Sequence, residues 1–406
     1  MPAAPGGVPV TALELPPLGL YVHFPWCVRK CPYCDFNSHT LHGALPEAAY
    51  IEALIEDLAA QASAAQERVV TSVFFGGGTP SLITPAAIER LLKSIAAQLA
   101  LSSEAEITLE ANPGTIERGR FNEYRAAGVN RVSLGAQSFA AEQLARLGRI
   151  HSPQDTHRAV AELHAAGLSN FNLDLMYALP GQDLAAALAD IEAAIALAPP
   201  HLSHYQLTLE PGTVFGALPP AGLPTDESAA AMMEQCQARL AAAGYGHYEI
   251  SAYARAGAQC RHNLNYWQFG DYLGIGAGAH GKYTDLAAQR IRRTVREREP
   301  RRYLAHGAGA PLPTQTVAAE ELPFEFMLNA LRLPAGFEPD LFERRTGEPL
   351  ARIAPTLRAL EARGLMQHSA GHWHASELGL RFLNDLLTAF LPTRPSPGSR
   401  AAPRRA

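Results

Sequence analysis

Cys27-Val-Arg-Lys-Cys31-Pro-Tyr-Cys34 sets three thiols within one short run. A cubane iron–sulfur cluster is ordinarily held by four thiolates, and no fourth cysteine lies nearby. Three ligands leave one iron with an open position, where a small molecule can bind and be activated. Zinc is the competing reading. Cys-x2-Cys pairs favour it, and His39, shortly after Cys34, would complete a tetrahedron. A structural zinc knuckle usually has two ligand pairs, however, and the sequence offers no second pair. The spacing favours the cluster.

Working outward, Leu18-Gly-Leu-Tyr-Val-His-Phe24 reads as a strand that delivers the cysteine loop. Strand and helix patterns then alternate. Strands are expected at 70–75, 107–110, 131–134, 171–175 and 201–207, with helices near 46–65, 84–99, 116–126 and 183–197 and helical segments up to about 166. Such alternation implies a parallel sheet. Each strand is followed by a polar or glycine-rich group: the cysteines, Gly76-Gly-Gly-Thr-Pro80, Glu110, Gln137, Asp174, and Gln206 or Glu210. In a parallel barrel the C-terminal strand ends share one face, where active sites sit. Six repeats with the last quarter missing predict an α/β fold, a partial (β/α)6 barrel. A flat doubly wound sheet would scatter the same groups to both sides of a switch point.

Residues 1–17 and 391–406, rich in Pro and Ala, are expected as disordered tails, and 18–289 as the barrel with an extension. The arginine-rich stretch 290–316 reads as a solvated connector. Beyond it, 317–390 shows two amphipathic helices (Phe324 to Leu331, Ile353 to Leu360), a hairpin pattern at 364–374 and a last helix opened by Ser376. Helices followed by a hairpin suggest a winged-helix-like α+β domain. The wing is not basic, so docking onto the barrel is expected in place of DNA.

Glycines at 76–78 let a ligand approach the backbone and expose N–H groups to a carboxylate. Glu110, at a barrel mouth, can accept from an amine or ribose hydroxyls. Asp174 can do the same, Gln137 can donate and accept, and Arg149 can fork onto a carboxylate. Later, Cys260-Arg-His-Asn-Leu-Asn-Tyr-Trp267 precedes Gly270-Asp-Tyr-Leu-Gly-Ile-Gly-Ala-Gly-Ala-His280. His262, Tyr266 and Trp267 mix a ligand-capable imidazole with flat aromatic faces, which suits a planar macrocycle. An aromatic core cluster around a satisfied histidine is the plainer account.

Together these stretches resemble the radical S-adenosylmethionine (SAM) family through the Cys-x3-Cys-x2-Cys run and its partner Gly-Gly-x-Thr-Pro. Within it they resemble the oxygen-independent coproporphyrinogen-oxidase-like proteins over about 19–390. The family holds a 4Fe–4S cluster that cleaves SAM to a radical, chemistry the cofactor carries and the protein aims. The resemblance implies that Cys27, Cys31 and Cys34 hold the cluster. It also implies a SAM shell of Tyr21, Tyr33, Gly77, Gly78, Thr79, Glu110, Gln137, Arg149 and Asp174. The His262-Asn-x-x-Tyr266-Trp267 segment resembles that of the heme chaperones in this group. That implies heme as cargo, with His262 the first choice of axial ligand, Cys260 and His280 the next, and Tyr266 and Trp267 as flat contacts.

Two functions follow. One is a heme chaperone that uses cluster and SAM in support and passes heme to an acceptor protein, which the family places in the respiratory chain. The other is a coproporphyrinogen III dehydrogenase of porphyrin biosynthesis. The dehydrogenases carry a further cysteine two positions after the third, where this chain has Phe36, and a long N-terminal arm where only about 18 residues precede the first strand. Both departures favour the chaperone.

Composition sets outer bounds. Across 406 residues, 47% hydrophobic and 18% charged content supplies a large core, and a net charge of −5 argues against general nucleic-acid binding. A zinc-stabilised nucleic-acid protein would need a basic face. Five cysteines, none in an evident disulfide pattern, fit a reducing cytoplasm. No 18-residue apolar run or signal peptide is seen. Transient membrane association and a homodimer stay open.

Overall fold

β1 (Leu18–Phe24) is apolar along nearly its whole length and buried on both faces. That is the mark of a central parallel strand, since neighbours and covering helices leave it no wet side. In the computed structural model, which describes residues 12–114, 120–306 and 312–392, it lies in the middle of a twelve-stranded sheet. Along the chain the strands are β2 (Val70–Gly77), β3 (Leu101–Ala111), β4 (Arg131–Gln137), β5 (Phe171–Tyr177), β6 (His201–Gln206), β7 (Gly246–Glu249), β8 (Ala252–Ala254), β9 (Asp271–Ile275), β10 (His280–Asp285), β11 (Arg290–Val295) and β12 (Thr314–Thr316). Their spatial order is β12-β11-β10-β9-β1-β2-β3-β4-β5-β6-β8-β7. β9 and β1 to β6 run parallel, and the outer pairs are antiparallel. This is the expected partial barrel, extended by antiparallel strands at both edges.

Local signals explain the helices between strands. α1 (Glu47–Gln61) buries Tyr50, Leu54 and Leu58. α2 (Pro85–Gln98) starts where Thr84 Oγ1 accepts from Ala87 N–H at 3.3 Å and Pro85 needs no donor. α3 (Arg120–Ala126) and α4 (Ala141–Arg146) are short. α5 (Pro153–Ala165) opens with a reciprocal capping box between Ser152 and Asp155. α6 (Leu184–Ala196) is capped by Asp183.

Three expectations need correction. The sheet has a seventh parallel strand, β9, disguised by Gly274 within it and the glycines that flank it. Residues 290–316 are not a plain connector. β11 buries Ile291 and Thr294 and pairs with β10, while Pro300–His306 is helical. Its arginines are used: Arg292 Nε meets Asp285 Oδ2 at 2.8 Å, and Arg296 is buried against Asp57. Nor is 12–17 a loose tail, since Pro16 O accepts from Arg68 and Pro17 O from Asp271 N–H. Residues 1–11 and 393–406 lie outside the described residues.

β9 is anchored by a buried charge cluster. Asp271 is fully buried and accepts from Arg68 Nη1 at 2.7 Å, Lys282 Nζ at 2.8 Å and Thr284 N–H at 2.7 Å. Burial alone would raise its carboxyl, but Lys282, its hydrogen bond and Arg68 hold it below the usual value. Asp271→Asn leaves two buried cations without their shared counter-charge. It is expected to cost about 3–5 kcal/mol in urea unfolding. Because the carboxyl is depressed, this stabilisation is present above the ordinary carboxylate range and is lost as pH falls through the lowered value. The fall in stability on acidification should be shallower in the variant.

Among the described residues, a second unit comprises 12–14 and 317–392. Leu322–Ala330, Pro339–Thr346 and Ala354–Ala362 are helices, followed by the Met366–Ser369/His372–Ala375 hairpin. Phe326 packs edge-on against Phe337 and Phe342, with centroids 5.1 and 5.2 Å away. Ser376 caps the next helix as expected, accepting from Gly379 N–H at 3.0 Å. That helix breaks at Phe382 and a second runs over Leu383–Thr388. Among the described residues no helix is long and apolar enough to cross a membrane.

Candidate functional site

The parallel strands bring their C-terminal ends to one face. There Cys27, Cys31, Cys34, Tyr33, Gly77, Gly78, Thr79, Glu110, Gln137, Arg149 and Asp174 line a single cavity of about 440 Å³. Of the residues expected to surround cluster and SAM, only Tyr21 lies elsewhere.

The cysteine loop is closed at its base. Trp26–Cys27 pairs with His39–Thr40, and Leu41 N–H donates to Cys27 O at 2.8 Å. Lys30 Nζ spans the loop to Ser38 O at 3.0 Å, and Asn37 Nδ2 ties it to Ala277 O at 2.9 Å. All three thiols are free. Burial pushes the Cys27 and Cys34 thiols up, opposed at Cys27 by Thr79 and at Cys34 by Ser38. Among the described residues, no three His, Cys, Asp or Glu side chains sit close enough to share one metal ion. His39, the fourth ligand of a zinc reading, lies outside the residues lining the cavity, with Nε2 3.4 Å from Asn37 Oδ1. Three thiols around one cavity therefore fit a multi-iron cluster with its own bridging sulfides better than a single zinc.

The glycine loop is laced to the cysteine-bearing segment. Gly78 N–H donates to Phe24 O at 2.6 Å and Thr79 N–H to Trp26 O at 2.8 Å. A Cβ at Gly78 would stand 2.5 Å from Trp26 O, and one at Gly77, whose φ is +116°, would stand 2.7 Å from Phe24 O. Glycine is required here by close backbone approach.

Polar groups from β3, β4 and β5 and from the loop after α4 complete the cavity. Glu110 Oε2 accepts from Gly77 N–H at 3.0 Å. Burial, then the charge of Asp174, raises the Glu110 carboxyl to about 8, against the pull of Gly77 N–H and Arg131. Asp174 is itself raised by burial, while Asn172 Nδ2 at 2.8 Å and Ser133 Oγ at 3.2 Å favour its charge. Gln137 ends β4 in the left-handed region, at φ +65°, which is costly for a residue with a side chain. Tyr205 Oη donates to its Oε1 at 2.9 Å. Arg149 Nη2 donates to Gly135 O at 2.8 Å, and Nη1 lies 3.7 Å from Cys31 Sγ. Its Nε is buried without a partner, an orphaned donor beside the thiols that fits an anionic ligand group. Sequence reasoning named Gln206 and Glu210 at the sixth strand end, and both line the cavity, but it missed their neighbour Tyr205.

A second cavity of about 470 Å³ shares Asp35, Phe36, Gly77 and Glu110 with the first. Tyr21, Tyr266, Tyr272, His280 and Arg298 line it. Tyr21 Oη lies 2.9 Å from His23 Nδ1.

Two residues expected to ligate heme are built into the core. His262 is 2% exposed, with Nδ1 2.9 Å from Ser72 Oγ and Nε2 3.2 Å from Tyr266 Oη. Phe74 stacks on its ring at 5.0 Å, and burial with Arg131 lowers its pKa to about 3. Both nitrogens are engaged, so the imidazole offers no free lone pair. Cys260 is fully buried, its Sγ donating to Glu106 Oε1 at 3.4 Å, and burial pushes the thiol up to about 12. Trp267 is half-buried against Tyr266. His280 alone of the ligand candidates is exposed.

Comparison with known proteins agrees with this architecture. Residues 21–194 match the Radical SAM superfamily and residues 317–382 the HemN C-terminal domain. The fold is similar to coproporphyrinogen III oxidase (HemN) from Escherichia coli, described as a radical SAM enzyme. The TM-score is 0.77 at 22% identity, over 93% of this chain and 90% of that one. The heme chaperone HemW of Haemophilus influenzae is 46% identical over 93% of this chain and 99% of its own length. A mitochondrial radical S-adenosyl methionine domain-containing protein 1 from Bos taurus is 36% identical, with 92% and 87% covered. With the heme chaperone HemW of Escherichia coli K12 the identity is 50% across 93% of this chain and 99% of that protein, and on this measure the chain belongs to the heme chaperone HemW family of the radical SAM superfamily.

Proposed function

We propose that this chain binds heme and passes it to an acceptor protein, supported by a 4Fe–4S cluster on Cys27, Cys31 and Cys34 and by SAM. The convergence of three free thiols and the glycine–Glu110–Gln137–Arg149–Asp174 shell on one cavity carries the reading of cluster and SAM. Membership of the heme chaperone family carries the reading of cargo. When bound, the cluster supplies an open iron and a one-electron donor. The chain's own residues do the positioning. Arg149 presents an unpartnered Nε to a carboxylate. Gly77 and Gly78 keep the cavity floor free of side chains, and Asp174 accepts from ribose hydroxyls. An acceptor in the respiratory chain is part of the proposal, as is action in the cytoplasm.

Burial and the charge of Asp174 raise the Glu110 carboxyl to about 8, which favours its protonated form at neutral pH in the ligand-free chain. Beside a bound sulfonium cation the Glu110 carboxyl would favour its ionised form and give up that proton. SAM affinity is expected to rise with pH up to about 8 and level off above it. Glu110→Gln should flatten the profile in calorimetric titrations across pH. An unchanged slope would show that Glu110 does not face SAM.

The deciding experiment is anaerobic. Reconstituted protein with SAM and a strong reductant is offered coproporphyrinogen III, then separately hemin and an apo-acceptor. Mass spectrometry is expected to find no decarboxylated product, while hemin binds and transfers. Phe36, where the dehydrogenases resembled have a cysteine, supports this expectation. Decarboxylation without heme transfer would replace the chaperone reading with a dehydrogenase.

A further inference from the structure

The second cavity has features that the cluster and SAM do not use. Four aromatic residues, Tyr21, Phe36, Tyr266 and Tyr272, share its lining with the acids Asp35 and Glu110. Tyr266 and Tyr272 meet edge to face at 4.2 Å and 70°, and Tyr21 stacks near Phe74. Phe36, on the wall shared with the first cavity, is 58% exposed. An aromatic ring left this open beside other rings is apolar surface awaiting a partner. His280 begins β10 at the rim, exposed, and its imidazole makes no hydrogen bond among the described residues. The charges of Arg293 and Arg298 both reach it. Arg298 is exposed, and its guanidinium enters no ion pair among the described residues. Arg293 is already engaged, donating to Tyr272 Oη at 3.0 Å.

We infer that the second cavity seats the heme, with His280 as the axial ligand of its iron and Arg298 as the cation for a propionate. This rests on the heme-carrying function proposed above. The cargo is flat and apolar, ends in carboxylates and carries a metal that favours imidazole. Each of those properties has a counterpart here: tyrosine and phenylalanine rings in the lining, a guanidinium, and an imidazole with no hydrogen bond among the described residues. His262 offers none of this access, because Ser72 and Tyr266 occupy its nitrogens.

The test is hemin titration of the reconstituted full chain, read by difference absorption, electron paramagnetic resonance and tryptophan quenching. His280→Ala is expected to shift the Soret band, change the iron spin signal and weaken binding about tenfold or more. Arg298→Glu should weaken hemin about tenfold without moving the band, since it touches the propionate and not the iron. His280→Ala with the parental band and affinity would overturn the assignment. So would a band lost in His262→Gln and kept in His280→Ala, provided circular dichroism shows both folded. A parent chain that binds no hemin would instead sink the heme-carrying function itself.

Discussion

Cys31→Ala is expected to come out of anaerobic reconstitution colourless, its iron falling from about four per chain to near zero. The reason is that no spare ligand exists. The two other cysteines, Cys236 and Cys260, are both fully buried and lie away from the cavity. Cys31 also carries the contact from Arg149 Nη1 at 3.7 Å, so its loss frees a cation beside two remaining thiols. Cys27→Ala and Cys34→Ala should behave alike, because each removes one of the three thiolates that hold three of the four irons. Cys236→Ala is the matched control and should keep its colour. A brown Cys31→Ala protein with about four irons would show that the cluster sits elsewhere. A colourless parent holding one zinc per chain would restore the zinc reading.

Gly78→Ala should damage cluster and cofactor binding together, although it removes neither a thiol nor a charge. The new Cβ would stand 2.5 Å from Trp26 O and 2.8 Å from Trp26 C. Both are backbone atoms of the residue before Cys27, and Thr79 N–H already holds Trp26 O at 2.8 Å. No side chain can swing aside, so the glycine loop or the cysteine loop must move. Overpacking of this kind costs about 1–3 kcal/mol of stability. A displaced loop should weaken SAM by at least about tenfold. Iron content after reconstitution should drop as well, which a loss confined to SAM contacts would not cause. Gly246→Ala, with its nearest neighbour Ala254 O at 3.6 Å, is the control for a glycine lost in a strand. Parental iron content and SAM affinity in Gly78→Ala would show that the backbone approach is not needed.

The parts legible in the sequence are those where one physical demand dominates. β1 could be bounded to the residue because a central parallel strand is buried on both faces and so reads as a nearly continuous apolar run. Glu110, Gln137 and Asp174 could be placed on one face without any contact information, since parallel strands end together. Legibility failed where a second demand masked the first. β9 contains Gly274 because His280 O would lie 1.9 Å from a Cβ there, and that glycine erased the strand signal. β11 carries arginines that pair with Asp285 and Tyr272, so a charge count hid the buried Ile291 and Thr294. The sequence around His262 is ambiguous for a related reason. Flat neighbours serve a core as well as a ligand, and only the observed bonds to Ser72 and Tyr266 separate the two. Tyr205 was passed over because Gln206 beside it looked the more chemical residue.

The wall common to the two cavities carries a thermodynamic obligation. Asp35, Phe36, Gly77 and Glu110 face both, so whatever fills one side changes the surface, and at Glu110 the charge, offered to the other. Affinities linked through shared residues are reciprocal. Any factor by which the small cofactor strengthens or loosens the hold on the cargo is returned, equal in size, by the cargo on the cofactor. Loading and release would then be set by the free concentrations of both ligands, whichever side of the four residues fills first.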